Sequence, residues 1–86
     1  VSLNRAVAVA MVRGPRAGIE ILDGLDASGE LDDFHLYHAA RADLLRRLGS
    51  AIEATTSYNR ALALVTNDSE RRYLERRLRE VQSVKV

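Results

Sequence analysis

Apolar residues recur at intervals of three and four along most of this chain. From His35 to Gly49 they fall at Tyr37, Ala40, Leu44 and Leu48, with Leu36 and Leu45 beside them. From Ala51 to Val65 the steps are Ala51, Ala54, Tyr58, Ala61 and Val65, widened by Leu62. Both runs have the period of an amphipathic helix. Gly49, between them, can take the left-handed conformation that ends a helix. Two helices joined so tightly form an antiparallel hairpin. Ala54 and Ala61 are small enough to let a neighbouring helix come close, with Tyr58 filling the space between.

The first eighteen residues pose a harder choice. AVAVAMV alternates valine with alanine and can be read as a strand at period two. Yet Leu3, Val7, Ala10 and Met11 also satisfy helix spacing, and alanine favours helices and disfavours strands. Gly14 precedes Gly49 by 35 residues, so the two glycines mark similar places in a repeat of roughly 34 residues. Aligned on these glycines, Val7 falls on Ala42 and Val9 on Leu44. The segment is therefore expected to be a helix, 3–13, buried on most sides. Pro15 suits the first turn of a second helix, 15–25, because no amide hydrogen is needed there. Ile19, Leu22 and Leu25 share one of its sides. Gly18 and Leu22 match Ala54 and Tyr58 if this turn is one residue shorter.

A polar loop follows. The third helix is expected over 32–48, with Asp32 or Asp33 as its cap, and the fourth over 50–65. Asn67 and Glu70 have capping-box spacing and open a fifth helix, 68–82. Leu74, Leu78 and Val81 form its apolar stripe. Arg76 stands where a continuing repeat would want a small residue, so this helix is expected to close the array. The tail, residues 83–86, is expected to fray. The pattern thus predicts an all-α fold of about five helices in one domain, 1–86. The chain opens on valine, which is read as a piece of a longer protein.

Composition narrows the function classes. The 86 residues carry a net charge of +1, so long-range attraction to nucleic acid or anionic lipid is not expected. No cysteine is present, which excludes a disulfide framework and fits a cytoplasmic location. No apolar run reaches the roughly 18–20 residues of a membrane span.

Candidate chemistry is sparse. His35 and His38 lie three apart, but no third ligand stands at a recognisable spacing, so His38 is expected to pack in the hairpin and His35 to be solvated. Asp23, Asp26, Glu30, Asp32 and Asp33 crowd one loop without the order of a calcium site, and are expected to cap helices and keep the loop wet. RRYLERRLRE holds three i,i+4 pairs, Arg71–Glu75, Glu75–Arg79 and Arg76–Glu80, expected to satisfy one another on a solvated helix. No nucleophile stands near a base, and no phosphate loop exists. The reading is a non-enzymatic module without cofactor or metal.

Two resemblances sharpen this. GSAIEATTSYNRALAL, with Gly49, Ala54, Tyr58 and Ala61, resembles a tetratricopeptide repeat, and Ala42 stands at that family's small first-helix position. His38, Arg41 and Thr66 depart from its usual Trp, Leu and Pro. The resemblance implies helix hairpins stacked as a short right-handed array. First helices would then line a concave face carrying Asn4, Ala8, Met11, Asp43, Arg46, Arg47 and Arg77, where Arg46 and Arg47 could hold a partner's carboxylate. More specifically, LNRAVAVAMVRGPRAGIEILDGL and YHAARADLLRRLGSAIEATTSYNRALALVTNDSERRYLERRL resemble the C-terminal extension of one group of bacterial extracytoplasmic-function sigma factors. That likeness implies a regulatory domain whose partners are proteins: the sigma factor's own N-terminal domains, RNA polymerase or a small co-encoded regulator. It implies no direct contact with nucleic acid or membrane. A homodimer through the apolar first helix stays open, and so does a tetratricopeptide scaffold unrelated to transcription.

Overall fold

In the computed structural model, residues 2–26, 29 and 31–83 are described. They form five helices: α1 (Ser2–Arg13), α2 (Pro15–Leu25), α3 (His35–Leu48), α4 (Ala51–Leu64) and α5 (Asp68–Ser83). Each helix packs chiefly on the next in sequence, with a smaller contact between α1 and α3. No strand occurs among the described residues, so AVAVAMV is helical. No helix among them is long and apolar enough to cross a membrane.

The turns follow from local chemistry. Gly14 has φ 101°, a conformation that costs residues with a Cβ, and Pro15 opens α2 directly after it. Gly49 has φ 90°. Its amide donates to the Arg46 carbonyl at 3.0 Å while the Ser50 amide donates to that of Leu45 at 2.9 Å. This is the paired closure of a Schellman motif, and it satisfies two carbonyls that the helix end leaves open. At the start of α5, the Glu70 amide donates to Asn67 Oδ1 at 2.9 Å. The capping spacing seen in the sequence is thus a real cap.

Three expectations are corrected. α1 is buried on one side only. Ala6 and Ala10 are inside, whereas Asn4, Arg5, Ala8, Met11, Val12 and Arg13 are exposed. Its apolar residues run round the whole helix, but only one neighbouring helix covers it extensively. α3 starts at His35, not at 32, and neither Asp32 nor Asp33 caps it. A turn closed by the Phe34 amide on the Leu31 carbonyl, 3.0 Å, precedes it. The two carboxylates face Arg60 instead, at 3.0 and 3.3 Å. α4 is one residue shorter at each end than the spacing suggested, with Val65 already extended. Glu30 and the tail beyond Ser83 lie outside the described residues.

The core joins all five helices. Leu22, Leu44, Tyr58 and Leu74 are its largest fully buried side chains. The helices approach closely at Gly18. A Cβ there would lie 2.8 Å from the Ala10 side chain, 2.8 Å from the Ala6 carbonyl oxygen and 2.9 Å from Leu44. One missing methyl group therefore lets α1, α2 and α3 meet.

Candidate interaction site

Asp43 organises the centre of the molecule's polar chemistry. It sits on α3, four residues before Arg47 and one turn from Arg46. The Tyr58 hydroxyl, from α4, donates to its Oδ1. The Tyr73 hydroxyl, from α5, donates to its Oδ2 at 3.0 Å. One carboxylate therefore binds two phenols from two different helices. Each phenol oxygen accepts in turn: from Arg46 Nε at 3.2 Å for Tyr58 and from Arg77 Nε at 3.3 Å for Tyr73. Arg77 Nη1 then donates to Glu80 at 3.0 Å. The guanidinium groups of Arg77 and Arg76 lie 5.3 and 5.7 Å from the centre of the Tyr73 ring, within cation–π range.

Electrostatics follow from this arrangement. Burial, and then the hydrogen bond to Asp43, push the Tyr58 phenol well above its ordinary value of 10.0. The hydrogen bonds to Tyr73 and then Glu80 hold Arg77 still more firmly charged. Both phenols are locked as donors and the carboxylate as a double acceptor. These bonds tie α3, α4 and α5 together, with arginines at the cluster's edge. Beside it, Arg46, Gly49, Ala51, Glu80 and Val81 line a depression of about 230 Å³.

Of the residues expected on a common face, Asp43, Arg46 and Arg77 meet in this cluster. Arg47 is exposed and joins none of its bonds. Asn4, Ala8 and Met11 are exposed on α1 and do not enter it either. Ala8 lines a different groove, on α1 and α2. Tyr73 is the residue that spacing missed. It was visible only as a lone aromatic in an arginine-rich helix, because its bond partner stands thirty residues away.

A second polar region lies where the α2–α3 loop meets α4. Asp23, Asp26, Asp32, Tyr37, His38, Arg41, Thr56, Ser57 and Arg60 line a shallow groove there. Arg41 Nε donates to Asp23 at 2.9 Å, and that bond, with the Asp23 charge, keeps the Arg41 pKa raised. Tyr37 is raised by burial, then by Asp23 and Asp26. His38 is buried as expected, and its Nε2–H donates to the Asp32 carbonyl at 2.7 Å. His35 is not simply solvated. Its Nε2 meets Glu70 on α5 at 3.0 Å, tying the starts of α3 and α5 together. Asp26 keeps the loop folded by accepting from the Leu31 amide at 2.9 Å. Among the described residues no three His, Cys, Asp or Glu side chains gather to hold a metal.

The expected i,i+4 ion pairs of α5 are also corrected. Arg71 turns to the Val65 carbonyl, Arg76 lies over Tyr73, and Glu80 pairs with Arg77 three residues away. Each of these partners is itself local, one turn away on α5 or just before its start, and pairs worth only about 0.2–0.5 kcal/mol are readily exchanged for such neighbours.

Comparison with known proteins adds one relative. The chain is 46% identical over 79 residues to an uncharacterized protein of Rhizobium meliloti (strain 1021). That match covers 91% of this chain but 18% of the relative. The chain thus spans less than a fifth of the length of the curated relative it matches. No family model and no solved structure matches it.

Proposed function

We propose that this chain is a tetratricopeptide-like protein-interaction domain that regulates transcription initiation as the C-terminal part of a bacterial sigma factor. The observation that carries the reading is the hairpin grammar. Two helix pairs turn on glycines 35 residues apart, and small residues mark the same place in each second helix: Gly18 and Ala54, both buried. A right-handed array of such hairpins, closed by α5, places α1, α3 and α5 on one face. The sigma assignment rests on the resemblance of the chain from Leu3 to about Val81. The relative's much greater length accords with a domain that belongs to a larger protein.

In this reading the domain has no catalytic role and works in the cytoplasm. The edge of the Asp43 cluster, with Arg46 and Arg77, meets the sigma factor's N-terminal domains, RNA polymerase or a small co-encoded protein. Asp43, Tyr58 and Tyr73 set the angle between α3, α4 and α5, and so the shape of that face. The test is to delete residues 3–81 from the parent protein and measure promoter output beside polymerase binding. Changed output with retained polymerase binding supports the reading. Unchanged output overturns it and leaves a scaffold unrelated to transcription.

A further inference from the structure

The exposed side of α1 shares no residue with the Asp43 cluster and has chemistry of its own. Met11 and Val12 are 75% and 86% exposed, and among the described residues Val12 is the most exposed large apolar side chain. Together with α2 this helix forms a groove of about 430 Å³ lined by Arg5, Ala8, Val9, Val12, Arg13 and Ile21. Its floor is apolar, and both charged residues that line it are arginines. No acidic residue occurs anywhere from Val1 to Arg13. Among the described residues no side-chain hydrogen bond or ion pair involves Leu3 to Arg13, whereas α3, α4 and α5 share many.

We propose that this groove docks an amphipathic helix of a partner whose apolar stripe is flanked by carboxylates. An apolar floor with arginines at its edge matches a helix presenting leucine-like side chains at i, i+3, i+4 and i+7 with Asp or Glu beside them. Arginine suits the second part, because its guanidinium grips a carboxylate through two hydrogen bonds. The same charges argue against a second copy placed α1 to α1. Such a pair would bring four arginines together with no acid from either helix, and like charges brought face to face oppose association. The interaction is additional to the one proposed for the Asp43 face and does not depend on the sigma reading.

The test uses the 86-residue chain and two fluorescein-labelled synthetic helices with the same leucine stripe, one flanked by glutamates and one by lysines. Anisotropy titrations at low salt are expected to show the glutamate helix binding at least tenfold more tightly. Val12→Glu, at an exposed position that leaves the fold intact by circular dichroism, removes that binding. The double variant Arg5→Glu, Arg13→Glu reverses the preference in favour of the lysine helix. Equal binding of the two helices, or binding of neither, overturns the proposal. So does a dimer seen by analytical ultracentrifugation and abolished by Val12→Glu, which would assign the groove to a second copy.

Discussion

The N-terminal hairpin and the three helices that follow it are held by different forces. Between α1 and α2 small residues allow a close crossing, where Gly18 lies against the Ala10 side chain and the Ala6 carbonyl. Between α3, α4 and α5 the contact adds a carboxylate, two phenols and two arginines, every one bonded to a neighbour. Apolar packing by small residues is short-ranged and intolerant of added volume. A hydrogen-bonded cluster fixes direction and loses most when a single member is left unpaired. The first hairpin can therefore present an apolar outer side without losing its inner contact. The second region keeps its polar groups occupied by one another.

The largest effect is expected where the two regions meet. Leu44 is buried and touches the Gly18 crossing, so Leu44→Ala removes core from both and should cost about 2–5 kcal/mol in urea unfolding. A small loss there would mean that the regions fold independently. Next comes Gly18→Ala. Alanine is the better helix former, yet the new methyl group would press on the Ala6 carbonyl, which is backbone and cannot swing away. Overpacking of this kind costs about 1–3 kcal/mol, so net destabilisation is expected. An unchanged or raised Tm would show the hairpin to be looser than its geometry.

Tyr58→Phe probes the other region. It deprives Asp43 Oδ1 of its donor and should cost about 1–2 kcal/mol, since the partly exposed carboxylate recovers part of the loss from water. The same residue fixes a pH dependence. Its phenol holds its proton more tightly in the folded chain than the ordinary 10.0 of the unfolded one, so between those values the native state binds more protons. Stability is then fully present below pH 10 and falls as pH rises above it. Denaturation midpoints measured from pH 8 to 11 should decline beyond pH 10, and the decline should be shallower in Tyr58→Phe. Equal slopes in both proteins would remove Tyr58 as the cause.

The smallest effect serves as a control for the glycine argument. Gly24 lies in the same helix as Gly18, but an added Cβ there meets nothing within 4 Å. Gly24→Ala should stabilise by about 0.5–1 kcal/mol through helix propensity alone. Opposite signs at Gly18 and Gly24 would establish that contact, not propensity, governs the first crossing.

How much was legible in the chain differs by element. The stripes Ala54–Tyr58–Ala61–Val65 and Leu74–Leu78–Val81 read directly as helix faces, and each lies against the core. The glycine turn at Gly49 and the Asn67 cap were equally plain, because each depends on residues within one turn of one another. Errors arose where the outcome depended on distant partners. Leu36, placed on the apolar side of α3, is 42% exposed. Asp32 and Asp33 were available as caps but Arg60, some 27 residues on, took them. Arg46 and Arg77 were expected on one face, but nothing in their spacing pointed to the two tyrosines that join them through Asp43.

The sequence by itself determined five helices, their turns and most of the core, because helix period, glycine φ and capping are local properties of a few adjacent residues. Only the tertiary structure decided which polar groups find one another and which side of α1 stays open. Those outcomes depend on distances between helices, and a side chain far along the chain can displace a weaker local partner once folding brings it within 3 Å.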